Sequence, residues 1–318
     1  MLSITVYARK NMTLLATLYP TPPYNFPLLL DVLSRFAHPT LDVVRDGAYW
    51  RAVRSGDGLA LVKVTDHGTT DAPALDVHLV AQTGAVDAQT ALADVQHILY
   101  TDAGRADFLE MARVDERLWR LVAPLVGLPE WRTINLFEAL MQTIIEQQIA
   151  WTTAQRAQRW LVEWAGACIA HDGAAYYTFP TPARLAAASV DDLTPLNITF
   201  KRMALMIDLA RQIAGDALNL QDLADAAPDD AYRQLLSIKG IGHWTAAVTL
   251  ERAFGHKNWI AYNDVVLQSA TNRYFYGGIG RIPPGQVTDT FAPYGAYAGL
   301  AAHYTLIRWV IDQYPVKS

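Results

Sequence analysis

LLSIKGIGHWTAAVTLERAFGHKNWIAYNDVVLQSA, residues 235–270, decides how the rest of the chain is read. Leu235, Leu236 and Ile238 close one helical pattern, and Trp244-Thr245-Ala246-Ala247-Val248 opens a second. Between them lies the turn Lys239-Gly240-Ile241-Gly242. Without a Cβ, Gly240 and Gly242 can take positive φ and leave nothing in the way of a ligand. Ile241, apolar between two glycines, is the expected plug into the core. The first N–H groups of the second helix have no partner within it. A helix start behind glycines is an anion site that a phosphate diester fits. Gly-x-Gly alone specifies little, because an ordinary tight turn between helices uses the same residues. The longer string specifies more, and a carboxylate, Asp264, follows just ahead of another helical run.

Outside this stretch the composition is that of a globular protein. The 318 residues are 52% hydrophobic and 18% charged, long enough for two domains and a sizeable core. The net charge of −5 argues against nucleic-acid binding through bulk charge but leaves room for a local basic face. Residues 131–318 carry 15 Lys and Arg against 16 Asp and Glu, and so are the less acidic part. One cysteine, Cys168, rules out a disulfide framework or a four-cysteine iron–sulfur cluster within one chain. No run has the length of a membrane span and no secretory leader is evident, so the expected compartment is the cytoplasm, nucleoid included. The histidines never cluster at metal spacing, and no metal site is expected.

The expected fold class is α+β: an N-terminal antiparallel-sheet domain with helices, residues 1–105, then an all-helical region, 106–318, with the hairpin at about 231–251. In the first part, Leu2–Val6, Thr13–Tyr19, Trp50–Val53, Leu59–Val64 and Leu75–Val80 read as strands. Helices are expected at Leu28–Phe36 and after Asp87, covering one face of the sheet. From Ala106 the periodicity is helical: Asp115–Val126, Leu136–Ile149, a third from Thr152 or Thr153 to Trp164, Phe200–Ala214, Ala231–Ser237, Val266–Tyr274 and Tyr297–Gln313. His171-Asp172 falls in a Gly/Ala loop, Glu146 reads as a solvated helix charge, and His303 as a core or rim histidine.

The string L-x-x-I-x-G-I-G-x-W-T-A, with Asp264 in Tyr262-Asn263-Asp264-Val265, resembles the helix-hairpin-helix DNA glycosylase superfamily, nearest to the bacterial 3-methyladenine DNA glycosylase II branch. Pro22–Phe26, Thr143–Ile149, Phe179–Pro182, Lys201-Arg202 and Ala292–Ala298 carry the resemblance along nearly the whole chain. It implies an enzyme that flips a damaged base out of double-stranded DNA and hydrolyses its N-glycosidic bond. Asp264 would be the catalytic carboxylate, stabilising positive charge on the sugar and activating water. Lys239, Gly240, Ile241, Gly242, His243 and Thr245 would meet DNA at the hairpin. Gln148 would fill the gap left by the flipped base, where a leucine is usual. Trp244 and Tyr294 would wall an electron-rich base pocket for cationic alkylated purines, with Tyr262 and Tyr297 behind them. No cofactor is required; a monovalent cation, sodium or potassium, would sit on hairpin carbonyls. The partner is damaged duplex DNA, with no membrane, and the protein is expected to act as a monomer.

This sequence also departs from the family. Strand-cutting relatives carry a lysine two residues after the second hairpin glycine; here that residue is Trp244, which reads as monofunctional. Tyr294 stands where the branch has tryptophan, and Val248 where it has tyrosine. Two alternatives stay open: a glycosylase for deaminated or oxidised bases, and a non-catalytic DNA-binding protein that kept the hairpin.

Overall fold

The computed structural model describes residues 5–7, 9–36, 41–101 and 105–314. Leu2, Ser3 and Ile4 of the first expected strand lie outside them. Eight strands are described: β1 (Thr5–Tyr7), β2 (Arg9–Leu18), β3 (Val43–Arg45), β4 (Ala48–Ser55), β5 (Gly58–Asp66), β6 (Leu75–Thr83), β7 (Cys168–His171) and β8 (Ala174–Tyr177). Strands β2-β6-β5-β4-β3 form an antiparallel sheet, and β1-β7-β8 a small second one. Asp46-Gly47 turns β3 into β4 with both residues at positive φ (52° and 67°), the two-residue hairpin geometry that Asp-Gly favours.

Successive residues of a strand point to opposite faces, and here both faces of the larger sheet are buried. Tyr49, Val62, Val64, Leu75 and Val77 face helices, whereas Trp50, Leu59, Leu61 and Val80 face the small sheet through Ile169 and Tyr176. Trp50 stacks on Tyr176 at 5.7 Å. The expected one-sided sheet is thus corrected, and so is the all-helical second half. The cover on the second face comes from Cys168–Tyr177, a hairpin turned by Asp172-Gly173 (φ 46° and 76°), where the sequence reading placed a loop.

Fourteen helices are described: α1 (Phe26–Phe36), α2 (Ala88–Leu99), α3 (Ala106–Val114), α4 (Glu116–Val122), α5 (Leu136–Glu146), α6 (Trp151–Ala165), α7 (Pro182–Ala186), α8 (Phe200–Ala214), α9 (Leu220–Asp225), α10 (Pro228–Ser237), α11 (His243–Phe254), α12 (Val265–Thr271), α13 (Pro284–Phe291) and α14 (Ala298–Gln313). Two cores organise them. One joins the sheet and α1–α4 to Leu267, Phe291 and Ile307 of the C-terminal helices. The other lies among α5, α6, α8, α10 and α11. The buried Arg51 of β4 bonds Asp42 (2.9 Å) and the buried Glu138 of α5 (2.7 Å), tying the sheet to the second core. No helix among the described residues is long and apolar enough to cross a membrane.

Candidate functional site

Helix α10 begins at Pro228, whose fixed φ suits a first turn. It ends at Ser237, with Leu235 fully buried. The Ile241 N–H donates to the Ile238 carbonyl (3.0 Å) and closes the turn. Ile241 is only 5% exposed and enters the second core, as its place between glycines implies. The two glycines differ. Gly240 has φ +99°, and a Cβ there would approach Leu205 to 2.9 Å. Gly242 is extended (φ −98°, ψ −179°) and a Cβ would meet nothing, so only Gly240 needs glycine for its backbone. Gly242 caps α11 without a side chain, and this open end is the face offered to an anion. Lys239 is exposed beside it.

Asp264 caps α12. Its Oδ1 accepts from the N–H groups of Val266 (2.8 Å) and Leu267 (2.9 Å), and its Oδ2 from Trp244 Nε1 (2.9 Å). All three partners are donors, the complement of a carboxylate's acceptor-only oxygens. The segment before Asp264 is gripped by the neighbouring residue of α11. His243 Nε2 lies 2.7 Å from the Ile260 carbonyl, its ring stacks on Tyr262 at 4.2 Å, and Nδ1 lies 2.5 Å from the Tyr232 hydroxyl. A carbonyl only accepts, so Nε2 carries the proton and Nδ1 accepts from Tyr232 in the neutral ring. Two consecutive side chains of the hairpin helix therefore hold the catalytic candidate and its approach.

Two of the residues expected to meet DNA turn their side chains inward. The imidazole of His243 is spent inside the protein, and only its backbone remains at the helix start. Thr245 is buried, and its hydroxyl oxygen accepts from Gln147 Nε2 (2.9 Å). Gln148 is exposed at φ +54°, at the tip of the link between α5 and α6.

The aromatic candidates separate. Trp244 bonds Asp264 directly, whereas Tyr262, two residues before Asp264, stacks on His243. Tyr297 is half-buried, its ring tilted against Phe108 at 5.9 Å. Tyr294 donates its hydroxyl to Asp115 Oδ2 (2.9 Å) and lines a cleft of about 660 Å³ with Met111, Val114, Asp115, Glu116, Arg117 and Pro293. Neither Asp264 nor Trp244 is among the residues lining that cleft.

No family model matches the chain. A curated DNA-3-methyladenine glycosylase of Bacillus subtilis is 32% identical over 160 residues, which cover 50% of this chain and 53% of that protein. A putative DNA-3-methyladenine glycosylase of the same organism is 27% identical over 257 residues, 80% of this chain and 85% of that one. Among solved structures, a 3-methyladenine DNA-glycosylase from Archaeoglobus fulgidus superposes with a TM-score of 0.77 at 21% identity, covering 94% of this chain and 98% of that one. This chain shares the fold of that glycosylase. The α+β class read from the sequence agrees with it.

Within that glycosylase fold, the sequence reading missed the ion pairs around the hairpin helix. Glu146 is not a solvated charge: its side chain is 8% exposed, and Arg252 of α11 binds it with two bonds of 2.9 and 2.8 Å. One residue nearer the helix start, Glu251 meets Lys257 (3.3 Å) and His303 Nδ1 (2.6 Å). Burial alone would raise the Glu251 carboxyl; Lys257 and His303 outweigh it and hold it well below the usual carboxylate range. Burial and Lys257 lower the His303 imidazole. Helical spacing shows Glu251 and Arg252 as polar residues but not which distant helix receives them.

Proposed function

We propose that this chain is a monofunctional DNA N-glycosylase that releases alkylated purines, 3-methyladenine among them, from double-stranded DNA. The bond from Trp244 Nε1 to Asp264 Oδ2 carries the reading: the residue standing where strand-cutting relatives have a lysine orients the carboxylate instead. The open start of α11 at Gly242, with Lys239 beside it, would receive a backbone phosphate. Extruding a base costs a few kcal/mol of stacking and pairing, less when the base is damaged. Gln148 would enter the gap. Asp264, fixed by three N–H donors, would face the positive charge that develops on the sugar and direct water to it. Trp244 and Tyr262 supply aromatic surface near the carboxylate, suited to a cationic leaving base. A monovalent cation at the turn would be held by backbone carbonyls. The Gly240 carbonyl of that turn also accepts from Gln147 Nε2 (3.3 Å). The protein would act on DNA as a monomer in the cytoplasm.

The test is product analysis on methylated duplex DNA. Released 3-methyladenine, with the strand intact until alkali is added, is the expected result. Strand cleavage without alkali would contradict the monofunctional assignment, and release of only hypoxanthine or oxidised bases would contradict the substrate.

A further inference from the structure

We propose that Gln147 is the positioning residue that couples the hairpin's hold on the duplex to the tip at Gln148; the proposal rests on the glycosylase reading above. The residues ending α5 are tied to four other elements. Glu146 is bound by Arg252 of α11 and accepts from Gln158 of α6 (2.7 Å). Gln147 Nε2 donates to Thr245 Oγ1 (2.9 Å) and to the Gly240 carbonyl of the hairpin turn (3.3 Å). Arg202 of α8 donates through Nη1 to the carbonyls of Ile145 (3.2 Å) and Gln147. The last carbonyls of a helix lack partners within it, and a guanidinium suits that negative end.

The next residue is different. Gln148 is exposed, and its φ of +54° is one that a non-glycine residue rarely adopts. A free tip thus stands on a base fixed to the same turn that would grip phosphate. Gln147 need not touch DNA to matter. With its two bonds in place, docking of the turn on the backbone also sets the depth to which Gln148 enters the stack. Without them, the hairpin can hold the duplex while the tip fails to support extrusion. The cost then falls where extrusion takes work, on a paired lesion, and not where the base is already unpaired.

The experiment compares wild type with Gln147→Leu, which keeps bulk and loses both bonds, and with Thr245→Val, which keeps shape and loses the hydroxyl. Each acts on a duplex with one methylated purine, either paired with its normal partner or in an unpaired bulge. For Gln147→Leu, kcat on the paired lesion is expected to fall about tenfold, the effect of about one to two hydrogen bonds, with KM unchanged. On the bulged lesion the rate stays within about twofold of wild type. Thr245→Val shows the same pattern, smaller. An equal fall on both substrates, the mark of a merely structural role, overturns the proposal, as does no fall on either. If the wild type releases no base from either duplex while Gln147→Leu binds them normally, the glycosylase reading itself fails and the proposal falls with it.

Discussion

Trp244→Phe keeps an aromatic ring at the start of α11 and removes one N–H. In the structure that N–H is the donor to Asp264 Oδ2 (2.9 Å), while Oδ1 keeps its two backbone donors from α12. A hydrogen bond to a charged group contributes about 1.5–3 kcal/mol. Since two of the three donors remain and the half-buried carboxylate can take water instead, the lower end applies, a fall of about tenfold in the chemical step. The assay is single-turnover base release at saturating enzyme, beside a titration of the same duplex for affinity. Release should slow with affinity unchanged, because the lost bond orients the carboxylate and does not hold DNA. A rate equal to wild type, or a loss confined to affinity, would refute the argument that the indole positions Asp264.

Glu146→Ala strands the Arg252 guanidinium, and because Arg252 is partly exposed the loss of stability should sit near about 3 kcal/mol, read by denaturant unfolding; removing both partners together should cost less than that. Ile241→Ala should lower stability by about 2–5 kcal/mol through the cavity it leaves in the second core, and should weaken duplex binding as the turn loosens. Burial pushes the Asp94 carboxyl up to about 6, with Arg51 opposing. A carboxyl raised in the folded state adds stability below its unfolded pKa, and that stability is lost as pH rises through about 6. Asp94→Asn should therefore raise the melting temperature more at pH 7.5 than at pH 4; equal shifts at both would count against it.

What was legible in the sequence is what local chemistry determines. The hairpin is marked by a turn whose backbone requires Gly240 and whose plug is Ile241, and both follow from neighbours in sequence. Asp264 stands out as a carboxylate just ahead of a helical run, and in the structure it accepts from that helix's first N–H groups. Asp172-Gly173, which turns β7 into β8, is a hairpin signal of the same local kind set in a pattern that is otherwise helical. Other features depend on partners far along the chain. His243 gives no local sign that Tyr232, Ile260 and Tyr262 close around its ring. Glu146 looks solvated until Arg252 arrives from another helix. Tyr294 gives no local sign that Asp115, 179 residues away, accepts from its hydroxyl.

The central claim is that Asp264 is the catalytic carboxylate of a base-releasing enzyme. Its most direct test is base release from methylated duplex DNA, wild type beside Asp264→Asn, with the released bases identified by mass. Asparagine still caps α12, so folding and duplex binding should persist. The account predicts 3-methyladenine from the wild type and none from the variant at equal binding. Release by the variant at a near-native rate would contradict it.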